Sequence, residues 1–193
     1  MKSLSLFGMT TATAALLAIS PLQAGQHEIT SQEVEAYFQE VQEEASELVR
    51  ADELHRIVEW IDEHFADGAV LQANMNIVHG EDHKGFLSMT LDKDDLMAVG
   101  GAFAGPFGQM GFEDFSLEVE VFDVIPHGPD AATVTTRWTE RFTLVLPLAG
   151  QGEAEPEAGS VTIEEVVDCT QIVQRNGERL QMGLMTCTGD MQF

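Results

Sequence analysis

Downstream of Thr30, apolar residues fall at Val34, Tyr37, Phe38, Val41, Ala45 and Leu48, a spacing of three and four that lines one face of a helix. Thr30 and Glu33 form a T-x-x-E capping box at its start. A second helix is predicted after Asp52, with Leu54, Ile57, Val58, Ile61 and Phe65 on its buried side. The two can form one helix bent near Arg50. His55, Glu59 and Glu63 share a polar face and read as solvated surface. Short strands are predicted over 71–79 and 85–89. Asp92, with Asp95 three residues on, caps a third helix whose buried side carries Leu96, Val99 and Phe103. Gly105-Pro106 ends it, and the glycines at 100, 101, 105, 108 and 111 make this region the one expected to move most.

From Phe115 the pattern changes to period two. Phe115, Leu117, Val119, Val121 and Ile125 alternate with Ser116, Glu118, Glu120, Phe122 and Val124. His127-Gly128-Pro129-Asp130 reads as a turn. The returning strand puts Val134, Trp138, Phe142, Leu144 and Leu146 on one face. A four-residue loop then sets Pro126 against Ala131, Val119 against Trp138, Phe115 against Phe142, and Glu120 against Arg137, an opposite-charge pair. An acidic Gly/Ala/Glu/Pro stretch at 148–160 reads as a loop. A strand over 161–174 keeps Val161, Ile163, Val167, Cys169 and Val173 on one side. A two-residue turn at Asn176-Gly177 sets Val173 against Leu180 and Cys169 against Leu184, continuing the inner face through Leu180, Met182 and Leu184.

The N-terminus has Lys2, an uncharged apolar run over 4–19, Pro21, and a small residue, Ala24, before Gly25. That is the layout of a secretory signal peptide, and the run is shorter than the roughly 20 residues a spanning helix needs. The expectation is a cleaved segment over 1–24, a single domain over 25–193, and a periplasmic or secreted protein. The formal net charge is −24. Such a field repels phosphate backbones and anionic lipid, so neither nucleic acid nor, after cleavage, a membrane is an expected partner. Export favours a disulfide between Cys169 and Cys187. The register opposes it, because Cys169 points inward and Cys187 outward. A bulge at Gly183 would bring both to one face, so the pairing stays open.

The junction over 60–71, WIDEHFADGAVL, is similar to the helix-to-strand junction of the nuclear transport factor 2-like superfamily, in particular its SnoaL-like branch. Phe65, Ala66 and Asp67 match a phenylalanine, a small residue and an aspartate just before a strand; Gly68 stands where a second aspartate is common. The resemblance implies an α+β cone, a curved antiparallel β-sheet packed with two to three N-terminal helices. It also implies a small-molecule pocket between helices and sheet, and a possible homodimer. The superfamily holds isomerases and dehydratases as well as non-catalytic binding and association domains, so the fold leaves the function open. None of its catalytic sets matches this chain residue by residue.

The predicted register turns Asp123, Thr136, Glu140, Glu165, Gln171 and Thr186 inward. A carboxylate in an apolar cavity has a raised pKa and can serve as general acid or base. Asp123 and Glu140, with Tyr37 as a hydroxyl donor, are the catalytic candidates. Trp138, Thr136, Glu165, Gln171 and Val119 are the ligand-binding candidates. His79-Gly80-Glu81-Asp82-His83 places two imidazoles and two carboxylates within five residues, which makes His79 and His83 candidate metal ligands. Met182 and Met185 read as core filling. With no Gly-rich phosphate loop, G-x-S-x-G or C-x-x-C, no cofactor is expected. The reading is an exported binding or association module for a small apolar ligand. The alternatives are a cofactor-free lyase or isomerase using inward carboxylates, and a metal-binding turn.

Overall fold

The computed structural model describes residues 27–50, 53–104, 111–147 and 158–193. The predicted signal segment, most of the glycine-rich stretch after the third helix and most of the acidic loop lie outside them. The element order is α1 (Ser31–Arg50), a single 3-10 turn (Leu54–Arg56), α2 (Ile57–His64), β1 (Phe65–His79), β2 (Asp82–Asp92), α3 (Lys93–Ala104), β3 (Gly111–Pro126), β4 (Ala131–Pro147), β5 (Ala158–Asn176) and β6 (Arg179–Gln192).

The capping box forms as predicted. The Thr30 N–H donates to Glu33 Oε2 at 2.9 Å, and the Glu33 N–H donates to Thr30 Oγ1 at 3.2 Å. Glu33 also receives Arg175 Nη2 at 2.9 Å, which ties the start of α1 to β5. Every apolar position predicted for α1 is buried. Thr30→Ala is expected to cost about 1 kcal/mol, read as a lower urea midpoint at unchanged m-value.

The second helix differs. Its buried face is Ile57, Trp60, Ile61 and His64, turned slightly from the predicted one, and α2 hands over to β1 with no loop. Phe65 already has extended backbone, φ −109° and ψ 132°. Lys93 holds this junction, its Nζ lying 2.7 Å from Asp62 Oδ1 and 3.5 Å from Asp67 Oδ1. Asp92 and Asp95 cap α3 reciprocally, the Asp95 N–H donating to Asp92 Oδ1 at 2.9 Å. Leu96 packs inward as predicted, joined by Met97 and Gly100, whereas Val99, predicted buried, is exposed. A Cβ at Gly100 would come within 2.9 Å of Ile61 Cδ1, so glycine allows α3 to approach α2 closely.

The strands form one unclosed, curved sheet in the order β2-β1-β6-β5-β4-β3. It is mixed rather than wholly antiparallel, because β1 and β6 run parallel. α1 packs on this sheet, and the core holds Val34, Phe38 and Val41 of α1 with Val134, Cys169, Val173 and Met182 of the strands. The third helix lies between β2 and β3 in the chain, not at the N-terminus.

Val119 faces Trp138 and Glu120 faces Arg137, as the predicted register has it. Arg137 nevertheless makes its bidentate pair with Asp168 of β5, at 2.8 and 3.0 Å. Two irregularities break the pattern on either side. Asp114, at φ 54°, displaces Phe115 from Phe142, and an extra residue at Phe122 sets Pro126 against Ala132. Past Phe122 the parity inverts, so Val124 turns inward while Asp123 and Ile125 become exposed.

The β5–β6 hairpin corrects the register twice. Its turn is Gly177-Glu178, with Asn176 facing Arg179, so Val173 meets Met182 rather than Leu180. Beyond it, Gly183 and Leu184 together oppose Ile172. This bulge exposes Leu184 and Thr186 and turns Met185 and Cys187 inward. Cys169 then lies directly opposite Cys187, and the two form a disulfide with a Cα–Cα distance of 4.1 Å.

Candidate functional site

Between α2 and the inner face of the sheet lies an apolar cavity of about 160 Å³. Trp60 closes it from the helix side. Leu71, Ala73 and Met75 of β1 and Met89 of β2 form one wall, Met185 and the Cys169–Cys187 disulfide lie along its floor, and Trp138 stands opposite. Glu140 and Glu165 are the only ionisable side chains among the described lining residues. A larger cleft of about 560 Å³ runs along the outside of the helices, lined chiefly by Glu44, Glu47, Glu53, Glu59 and Glu63. That cleft is a solvated acidic surface, whereas the inner cavity joins apolar walls to two polar groups, the usual make-up of a small-molecule pocket.

The two glutamates are directly opposite each other on β4 and β5. Burial pushes the Glu140 carboxyl up to about 7, with the Glu165 charge adding to the effect. Burial raises Glu165 as well. Two facing carboxyl groups in low dielectric disfavour ionising together, so near neutrality Glu140 keeps part of its proton and can donate as well as accept a hydrogen bond.

Behind Trp138 is a buried polar chain. Trp138 Nε1–H and Gln171 Nε2–H both donate to Thr136 Oγ1, at 2.9 and 3.0 Å. Thr136 and Gln171 thus orient the Trp138 indole, and Phe38 meets that ring edge-on at a centroid distance of 5.9 Å. Gln171 Oε1 and Trp60 Nε1 are buried without a hydrogen-bond partner among the described residues. Thr136→Val is expected to cost about 1–3 kcal/mol in thermal or urea unfolding, because it strands the buried Gln171 amide and the part-buried Trp138 indole N–H.

The structure brings only part of the predicted set together. Glu140, Glu165 and Trp138 line the cavity; Thr136 and Gln171 support it. Asp123 does not join Glu140: it is exposed beyond the Phe122 bulge, and its Oδ1 accepts the Val124 N–H. Tyr37 is buried, but its hydroxyl donates to the His64 carbonyl at 3.0 Å, and burial raises its pKa. Val119 packs on the core while its N–H donates to Gln42 Oε1. His79 faces Asp82, and its Nδ1 meets the Phe193 carbonyl oxygen; His83 pairs with Val78 and so projects from the opposite face of the β1–β2 hairpin. No group of three His, Cys, Asp or Glu suited to a metal occurs among the described residues.

Trp60, Met75, Met89 and the disulfide were not anticipated as lining. Trp60 was legible, since positions 57, 60, 61 and 64 make one helical face. Met185 was not, because its inward turn depends on the Gly183 bulge.

No protein-family model matches the chain, and no curated protein matches its sequence. Solved structures similar in fold include a nuclear transport factor 2-like protein of unknown function from Silicibacter pomeroyi, 12% identical, covering 83% of this chain and 99% of that one, with a TM-score of 0.44. Another of unknown function, from Shewanella oneidensis, is 12% identical over 83% and 99% of the two chains, with a TM-score of 0.43. A ketosteroid isomerase-like protein from Erwinia carotovora is 13% identical over 83% and 98%, with a TM-score of 0.40. With its helices packed on a curved, unclosed six-stranded mixed sheet, the chain has the α+β cone architecture expected from its sequence.

Proposed function

We propose that the protein is an exported small-molecule-binding module whose ligand occupies the cavity between Trp60, Trp138 and the Cys169–Cys187 disulfide. The observation that carries this reading is an apolar cavity whose lining includes two facing glutamates. Apolar cavities near 150 Å³ take up a single aromatic ring. The ligand is therefore of about one-ring size, with one polar group directed at Glu140 and Glu165. Export is supported by the N-terminal pattern, and the disulfide fits an oxidising compartment. No helix among the described residues is long and apolar enough to cross a membrane. Exposed Phe86, Phe122, Val166 and Leu184 offer apolar surface to a second copy, so a homodimer belongs to the same reading.

The test is thermal unfolding with a panel of one-ring compounds. Binding at a hundredfold excess over Kd stabilises by about 2.7 kcal/mol. Ala73→Val, which narrows the cavity, should abolish the shift. A folded Ala73→Val protein that binds the same compounds equally well places them elsewhere and refutes the assignment.

A second reading has its own support. A carboxyl group held near pH 7 opposite a second one suits general acid–base catalysis, as in a cofactor-free isomerase or lyase. On that reading turnover of a small carbonyl or hydroxyl substrate requires Glu140. Full turnover by Glu140→Gln would remove it.

A further inference from the structure

We infer that the cavity selects a small organic monocation, a one-ring amine or ammonium compound seated with its charged end between Glu140 and Glu165 and its ring between Trp60 and Trp138. This rests on the binding reading above and adds the chemical class of the ligand. Three features of the cavity carry it. First, the polar groups converging on it are both acids, placed opposite each other on adjacent strands. Second, no Lys, Arg or His stands among the described lining residues, so the protein supplies no internal counter-charge there. Third, the walls are two indoles and three thioethers, from Trp60, Trp138, Met75, Met89 and Met185. Indole faces attract cations through their quadrupole, most strongly where water is excluded. The net charge of −24 adds a field that concentrates cations at the protein. A neutral ligand would use the apolar walls but leave a carboxylate facing a carboxyl group. An anion would meet like charge at the two glutamates.

The ligand cation and the proton on Glu140 then compete for the same site. Of the elements that wall the cavity, α2, β1 and β2 contribute no titratable side chain. Glu140 comes from β4, Glu165 from β5, and the cysteines of β5 and β6 are tied in the disulfide. A cation favours the ionised pair, so binding expels the proton and affinity rises with pH until Glu140 is fully ionised. An alkylamine such as benzylamine stays protonated throughout this range.

The experiment compares benzylamine with benzyl alcohol, close in shape and differing in charge, by calorimetry on the disulfide-intact protein from pH 6 to pH 8. Benzylamine should bind at least about tenfold more tightly than benzyl alcohol at pH 8. Its affinity should rise about tenfold between pH 6 and pH 8, while that of the alcohol stays level or falls. In Glu140→Gln the amine-to-alcohol ratio should drop at least fivefold and the pH dependence flatten; an unchanged far-UV spectrum and a cooperative melt establish that the variant is folded. Equal or tighter binding of the alcohol in the wild-type protein, with no rise in amine affinity with pH, overturns the cation assignment and leaves the small-molecule reading standing. Failure of both compounds to bind at millimolar concentration overturns both.

Discussion

Glu140→Gln gains stability relative to the wild-type protein by on the order of 2 kcal/mol as the pH is raised from 5 to 8. The cause is the burial of a carboxyl group opposite a second one. In the folded protein Glu140 titrates at about 7, well above the ordinary value of 4.5. Between those two values the folded state holds a proton that the unfolded state has released. The folded state is therefore progressively disfavoured as pH rises through this window, and the effect is complete once Glu140 ionises. Glutamine cannot ionise, so the variant escapes that loss. The full shift would correspond to roughly 3 kcal/mol, and residual solvent contact at the cavity reduces it. The difference between the two proteins removes the general charge repulsion that both share. Urea unfolding at pH 5 and pH 8 reads the effect, and a pH-independent difference would show that Glu140 is solvated like a surface acid.

Removing the disulfide has a comparable cost of opposite sign. Cys169 and Cys187 are 18 residues apart and close a loop that includes the Gly177-Glu178 turn. The chain-entropy model gives about 3 kcal/mol for a loop of this size. The double variant Cys169→Ala, Cys187→Ala is expected to lose about 2–4 kcal/mol in urea unfolding, and reductant should lower the wild-type midpoint while leaving the variant unchanged. The variant also widens the cavity floor, so its one-ring ligands should bind more weakly. A loss below about 1 kcal/mol would mean that the β5–β6 register alone constrains this segment.

Much of the architecture was legible because it rests on local periodicity. The α1 face, both capping boxes and the Val119–Trp138 register follow from spacing and from short-range side-chain chemistry. What was not legible depends on single inserted residues. The extra residue at Phe122 turned Asp123 from an inward acid into an exposed one, and the Gly183–Leu184 bulge turned Cys187 and Met185 inward. A period-two pattern has no marker for the extra residue at Phe122, an apolar residue next to apolar Val121, whereas Gly183 marked the second bulge as an open alternative. The parallel β1–β6 pair was also hidden, since partners more than a hundred residues apart leave no local signal. Glu140 survived because β4 pairs with β5 in unbroken register from Ala131 to Pro147. That same continuity places Glu165 opposite it, and so the acid pair is Glu140 with Glu165 instead of Glu140 with Asp123.

The cavity beneath Trp60 is the proposed ligand site, and its methionines report on it directly. With methyl-labelled methionine, titration with a one-ring compound such as benzyl alcohol should shift the Met75, Met89 and Met185 methyl resonances together along one saturable curve. Met97 of α3 and Met182, outside the described lining, should move far less. Saturable shifts confined to Met97 or Met182, or none at millimolar ligand, would contradict the assignment.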